Sequence, residues 1–243
     1  MIIDLESLIG LPQELIERLK KLDKVFMQHR FIEKYEKDEN IYSLIIDINN
    51  YCLENRIIGY HFTRAIENDI IEKGIIIRTG KEIRAEFIKR HFHLFTDKEQ
   101  NQILEKWKER FGNKDTEHRD SHIFFNFTKD ALHNGGAELL LNYYGGEQVY
   151  FPIFEIPQIG KKLRKIGTPM ILKCTLNPND INTFIEYPWG RIIISSYHRM
   201  INSNAHVVDQ DGYQEIGVKP ENIEIIKYKK HFSNTAYKQW RVW

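Results

Sequence analysis

Between Leu11 and Tyr35 the apolar residues Leu15, Ile16, Leu19, Leu22, Val25 and Phe26 recur at three- and four-residue steps, which lines one face of a helix. Pro12 suits its first turn, where a missing N–H costs no hydrogen bond. A second helical stretch, Ile41–Leu53, follows an Asp-Glu-Asn cluster able to cap it. At Arg56 the period changes: IIGYHFT is short, β-branched and aromatic, the signature of a buried strand. RAIENDIIEKG predicts a short helix closed by Gly74, and IIIR a second short strand. Lys81–Phe95 and Asp97–Phe111 predict two charged helices, and GNKDTEHRD (112–120), the most polar stretch, an exposed loop. From His122 the pattern turns to strands. HIFFNFT is one; TKDAL and GGAELLLNYY read as helices around a Gly-Gly hinge; EQVYFPI, MILKCTL, INTFIEY, RIIISS, NAHVV, YQEIGV and IEIIKYK are further strand candidates. The pattern predicts an α+β chain: a helical N-terminal portion over 1–55, then a domain over 56–243 whose second half is mainly antiparallel strands, with a charged helical insertion at 81–120.

Composition narrows the classes. The chain has 243 residues, 42% hydrophobic and 28% charged, which is long and apolar enough for a substantial core and excludes wholesale disorder. Its 35 Lys+Arg against 34 Asp+Glu exclude a generally basic nucleic-acid-coating protein. Two cysteines, Cys52 and Cys174, cannot build a disulfide framework or a Cys-rich zinc site. No apolar run approaches the roughly 20 residues of a membrane span, and the acidic start MIIDLESLIG is unlike a signal peptide. The expectation is a soluble, cytoplasmic protein.

Three spots carry candidate chemistry. In Tyr60-His-Phe-Thr-Arg64, alternation puts His61 and Thr63 on one face of the strand and Tyr60 and Phe62 on the other. A polar pair at a strand's end suits a ligand hydroxyl or amide; equally, His61 suits a core position bonded to a carbonyl, with Thr63 capping the next helix. In His122-Ile-Phe-Phe-Asn-Phe-Thr128, Phe124 and Phe125 point to opposite faces, so one can enter the core while the other offers a flat surface. The Gly145-Gly146 pair permits a tight turn before Glu147. In Asp211-Gly-Tyr-Gln-Glu-Ile-Gly-Val218, alternation sends Glu215 to the face opposite Ile216 and Val218. A carboxylate so placed faces water or a cleft, where it can hold ribose hydroxyls and offset positive charge at an anomeric carbon. Arg191-Ile-Ile-Ile-Ser-Ser196 reads as an apolar strand ending in two hydroxyls. His91-x-His93 and His118 fall short of a zinc site's ligand set, no Gly-rich phosphate loop is present, and no metal is expected.

In order, these pieces resemble the ADP-ribosyltransferase fold, in the His–aromatic–Glu branch of poly-ADP-ribose polymerases, diphtheria-type toxins and bacterial nucleic-acid-modifying toxins. The resemblance covers roughly Ile57–Lys229. It implies split antiparallel sheets and NAD as co-substrate, without a metal. It implies that His61 contacts the nicotinamide ribose while its neighbours Phe62 and Thr63 line the carboxamide. Phe124 or Phe125 would stack on nicotinamide where Tyr is usual, and Tyr143 or Tyr144 would pack under the ring. Glu215 would bind the ribose 2′-hydroxyl and support the oxocarbenium-like transition state, with Glu147 a rival carboxylate. Ser195-Ser196 resembles a hydroxyl element of the arginine-modifying branch.

The resemblance further implies a toxin of a toxin–antitoxin or anti-phage system, with nucleic acid (RNA or DNA) or a protein as target and an antitoxin or immunity protein as partner. The tail Lys227–Trp243 carries five Lys/Arg and no acid, interleaved with Tyr228, Phe232, Tyr237, Trp240 and Trp243. That mixture suits phosphate contacts plus base stacking, and equally a last strand docking on its domain. Two alternatives remain: an RNA 2′-phosphotransferase-like enzyme, for which Arg64 and Arg191 are the candidate phosphate ligands, and an inactive NAD- or nucleic-acid-binding module of the same fold.

Overall fold

A computed structural model describes residues 1–31, 38–112, 120–208 and 210–228. In chain order these form β1 (Ile2–Ile3), α1 (Gln13–Lys20), α2 (Asp23–Gln28), α3 (Glu39–Leu53), β2 (Arg56–Ala65), α4 (Glu67–Lys73), α5 (Gly80–His91), α6 (Asp97–Phe111) and β3 (Ile123–Asn126). There follow α7 (Glu138–Asn142), α8 (Glu147–Tyr150), α9 (Pro157–Leu163), β4 (Thr168–Leu176), β5 (Asn182–Thr183), α10 (Pro188–Ile201), β6 (Asp211–Gln214) and β7 (Ile223–Lys227). The strands make one open sheet in the order β5-β6-β3-β2-β4-β7, with β1 added parallel to β2. β2 and β3 are antiparallel, with Tyr60 opposite Asn126, and so are β5 and β6, with Asn182 opposite Tyr213. The architecture is mixed α+β.

The helix starts follow from local capping. The Asp38 carboxylate accepts the N–H groups of Asn40 and Ile41 at the head of α3. Thr79 with Glu82 and Thr96 with Glu99 form capping boxes at α5 and α6, each pair satisfying two otherwise orphaned donors. Glu99 is also bridged by Lys162 of α9 at 2.5 Å, and this ion pair, ahead of the cap itself, holds its carboxyl below the ordinary value. Gly74 ends α4 at φ 68°. A Cβ there would lie 2.0 Å from the Val218 carbonyl oxygen, the group that accepts the Ile75 N–H at 2.9 Å.

The chain folds into two compact units. The first comprises Met1–Tyr60, Phe124–Lys129 and Cys174–Gln214. Its core sets α3 against α10: Trp189 donates its backbone N–H to Asn49 Oδ1 at 3.2 Å, and its ring meets Phe127 edge-on at 4.8 Å. Gly190 permits this approach, because a Cβ would stand 2.0 Å from the Ile45 carbonyl oxygen. The carbonyls of Phe26 and His29 at the end of α2 face His198 Nε2 (3.1 and 2.8 Å) and accept from Asn202 Nδ2 (3.1 and 3.0 Å).

The second unit comprises His61–Ile123, Asp130–Lys173 and the chain from Glu215 onward. Its core is largely aromatic, including Phe87, Phe95, Trp107, Tyr143 and Tyr150, and the Trp107 indole donates to the Val149 carbonyl at 2.9 Å. His91, 8% exposed, is edge-on to Tyr144 at 4.7 Å and tilted against Phe87 at 5.6 Å. Its Nε2 has no hydrogen-bond partner. Burial, reinforced by Arg90 and His93, holds this imidazole below its ordinary value.

Several expected strands take other forms. RIIISS lies inside α10, begun by Pro188 at its first turn. The helix is buried over Trp189–His198 except at Arg191, so it lacks the polar stripe that marks a surface helix, and a short apolar run has no period to separate helix from strand. EQVYFPI is α8 plus turns, INTFIEY pairs only at Asn182–Thr183, and NAHVV pairs nowhere among the described residues. IIIR contributes a single bridge, Ile75 with Val218. TKDAL is a 3₁₀ turn over Asp130–Leu132, and α7 takes only Glu138–Asn142 of the second predicted helix. The first predicted helix breaks into α1 and α2 at Lys21-Leu22, and its last residues (32–35) lie outside the described residues, as do 113–119 of the polar loop.

Replacing Gly190 by Ala should destabilise the protein by about 1–3 kcal/mol, the usual cost of forcing volume into a filled contact; chemical denaturation measures it. A buried histidine held below its ordinary value of 6.5 is neutral in the folded state while the unfolded chain takes up a proton. Its contribution is therefore intact above pH 6.5 and lost as the pH falls from there through the lower folded value. His91→Phe, which suits the aromatic surroundings, should flatten the decline of stability between pH 7 and 5 relative to wild type, read by thermal melts at each pH.

Candidate functional site

β2 carries the first group of candidates. Tyr60 and Phe62 are buried while His61 and Thr63 are half-buried, so the expected alternation holds and the polar pair shares a face. The Phe62 side chain belongs to the core, at 3% exposure, which leaves its backbone for any ligand contact. Thr63 caps no helix: β2 continues to Ala65, and α4 starts after Ile66 without a side-chain cap. Arg64 is a structural clamp. Its Nε donates to the Leu141 carbonyl at 3.0 Å and Nη1 to the carbonyls of Ile166 and Gly167 at 3.3 and 2.9 Å.

The central observation concerns β3 and β6. His122, the residue next but one before Phe124, brings its Nε2 to 3.2 Å from Oε1 of Glu215, which directly follows Gln214, the last residue of β6. The two are 93 positions apart in sequence. Both lie in the second unit. The Glu215 side chain is 64% exposed and that of His122 18%, so a wet carboxylate is oriented by a mostly buried imidazole. Alternation beyond Gln214 does not continue, because the strand ends there: Ile216 is exposed, and Val218 turns inward to pair with Ile75. His122 is the residue that sequence reasoning missed as a participant. Its only signal was its place at the head of the aromatic strand, and strand pairing alone reveals its partner.

In the first unit, Phe125 is buried and Phe124 is 38% exposed. The expected division between a core ring and a surface ring is thus resolved, with Phe124 outside. Its ring lies 5.5 Å from that of Tyr213 on β6. Ser195, expected at a strand's end, is instead a buried position of α10 whose Oγ accepts the Val208 N–H at 3.0 Å. It braces the chain leading to β6 and does not stand at a surface. Ser196 is on the same buried helix.

Tyr143 and Tyr144 both pack in the aromatic core of the second unit. The Tyr143 hydroxyl is hydrogen-bonded by Arg164, whose guanidinium also lies 4.8 Å over the ring. Tyr144 sits against His91, and burial raises its phenol above the ordinary value. The Gly145-Gly146 turn is present, with φ 89° and 68°, and Glu147 is the exposed first residue of α8. Arg191 donates from Nε to the Glu186 carbonyl at 2.8 Å.

The remaining candidates carry less. Burial pushes the thiols of Cys52 and Cys174 up to about 12, which disfavours the reactive thiolate. Among the described residues no three His, Cys, Asp or Glu side chains gather as a metal site would need, and no helix is long and apolar enough to cross a membrane. His118 and residues 229–243 of the basic aromatic tail lie outside the described residues.

Set against known protein families, curated proteins and solved structures, the chain matches none of them.

Proposed function

We propose that this chain is an NAD-dependent mono-ADP-ribosyltransferase of the reducing cytoplasm, acting as a toxin or anti-phage effector on a nucleic acid or protein. The observation that carries the reading is the exposed Glu215 carboxylate, fixed by His122 at the junction of β6 and β3. Glu215, His122 and His61 all belong to the second unit although their sequences are far apart. The residue types also suit the substrate. A wet carboxylate accepts ribose hydroxyls, an exposed ring offers a face to a pyridinium, and a half-buried His-x-Thr pair at a strand's end supplies polar atoms.

In this reading Glu215 accepts a hydrogen bond from a ribose hydroxyl and offsets the positive charge that grows at the anomeric carbon. His122 holds that carboxylate in one orientation, so little reorganisation is needed as charge develops. The bond from the anomeric carbon to the nicotinamide nitrogen breaks with its electron pair leaving on nicotinamide; a nucleophile of the target bonds to that carbon and gives up its proton. His61 and the backbone around Phe62 and Thr63 hold the nicotinamide end. The 2′-phosphotransferase alternative loses support because the guanidinium groups it needs, Arg64 and Arg191, are engaged with backbone carbonyls.

Nicotinamide release from NAD, measured with tRNA, DNA and cell lysate added separately, tests the proposal. Glu215→Gln should lower the rate about 10²–10³-fold with an unchanged melting temperature, and Glu147→Gln should leave it near wild type. Loss of activity in Glu147→Gln with Glu215→Gln intact would move the carboxylate to Glu147. No release with any acceptor would end the transferase reading.

A further inference from the structure

The pair formed by His122 and Glu215 is bracketed by one short segment of chain. Residues 75–80, which lead from α4 into α5, hold the approach to both partners. At one end Ile75 donates its N–H to the Val218 carbonyl at 2.9 Å, and Val218 donates its own to the Ile75 carbonyl at 2.8 Å. Val218 stands three residues after Glu215. At the other end the Gly80 N–H donates to Asp120 Oδ1 at 2.8 Å, and Asp120 stands two residues before His122. All of these residues belong to the second unit.

Both ends of the bracket are fixed. Beside the Ile75–Val218 bridge, a Cβ on Gly217 would lie 2.7 Å from the Ile75 carbonyl oxygen, so the two segments run in close contact. Gly80 heads α5 directly behind the Thr79–Glu82 capping box. One turn further on, Arg84 donates to Gln148 Oε1 of α8 at 2.7 Å, with its guanidinium 4.4 Å over the Phe111 ring of α6. The start of α5 is thereby tied to two other helices, and the backbone donor at its head is a fixed point for Asp120.

Ser121 joins Asp120 to His122 and takes φ 63°. For a residue with a side chain this left-handed backbone is disfavoured, and it persists where contacts on both sides impose it. Here Asp120 is held on one side by Gly80, and Ile123 is buried on the other. Between these two anchors His122 brings Nε2 to 3.2 Å from the Glu215 carboxylate.

We propose that Asp120 is a positioning residue for Glu215: by accepting the Gly80 N–H it fixes the turn at Ser121, and with it the imidazole that orients the carboxylate. Its catalytic consequence rests on the transferase reading, whereas its geometric consequence does not. The partner of Asp120 is a backbone amide, so the role calls for an oxygen at one place rather than for a charge. The competing role is electrostatic, since the same carboxylate also acts on the Arg84 guanidinium.

NMR of protein carrying 13C-labelled histidine, with the His122 signals assigned by their absence in His122→Ala, tests the geometry. Glu215→Gln should displace the His122 ring signals in wild type and in Asp120→Asn, whose side-chain oxygen still accepts the Gly80 N–H. In Asp120→Ala, where the pair has already come apart, Glu215→Gln should leave them in place. In the nicotinamide-release assay Asp120→Ala should lower kcat about tenfold with KM for NAD unchanged, and Asp120→Asn should keep the wild-type rate. Acting through His122, Asp120→Ala should add nothing to the loss in His122→Ala. Circular dichroism checks folding; should the alanine variant not fold, Asp120→Glu, which keeps the charge and displaces the oxygen by one methylene, takes its place with the same expectations. Ring signals displaced as fully in Asp120→Ala as in wild type, or an active Asp120→Glu beside an inactive Asp120→Asn, overturns the proposal. If wild type releases no nicotinamide, the transferase reading fails and the NMR comparison alone decides the role of Asp120.

Discussion

The pairing of β3 between β2 and β6 is the constraint on which the candidate site rests. An antiparallel pair fixes which residues meet, because each backbone group has a partner and a shift of one position reverses every side chain. Here that register keeps Phe125 inside and Phe124 outside. At the strand ends it brings His122 to Glu215 across 93 positions of sequence. A slip of one residue would bury the surface ring and carry the carboxylate away from its imidazole.

Around this pairing, polar side chains are spent on backbone. Arg64 saturates the carbonyls of Leu141, Ile166 and Gly167, and Ser195 Oγ takes the Val208 N–H. His198 faces two carbonyls that Asn202 also contacts at the end of α2. Buried backbone groups without partners are costly, so a fold with many short elements needs such side-chain substitutes. This separates the candidates into groups already committed to the scaffold and groups left with polar atoms toward water. Glu215 belongs to the second kind and Arg64 and Ser195 to the first.

The legible parts of the sequence were those with a local cause. The capped helices α3, α5 and α6 and the strand β2 follow from residues within a turn or two of their ends, and the inside–outside division of β2 follows from the period of two. RIIISS was illegible because a helix buried on nearly every side has no polar stripe, and INTFIEY because strand length at a sheet edge is set by the neighbour it meets. Phe124 and Phe125 were a pair of opposites in the sequence; which one faced the core depended on what lay behind the sheet. Glu215 was marked by its place at the end of a strand, whereas His122 had no mark of its own.

The sequence by itself determined the α+β class, the starts of the capped helices and the alternation of β2, since each is written in propensities and periods spanning a few residues. The tertiary structure alone decided the order of the strands, the helical state of Arg191–Ser196, and the meetings of His122 with Glu215 and of Phe124 with Tyr213 and Phe184. These are contacts between distant segments, selected by the joint burial of both partners, and neither partner's local sequence encodes the other.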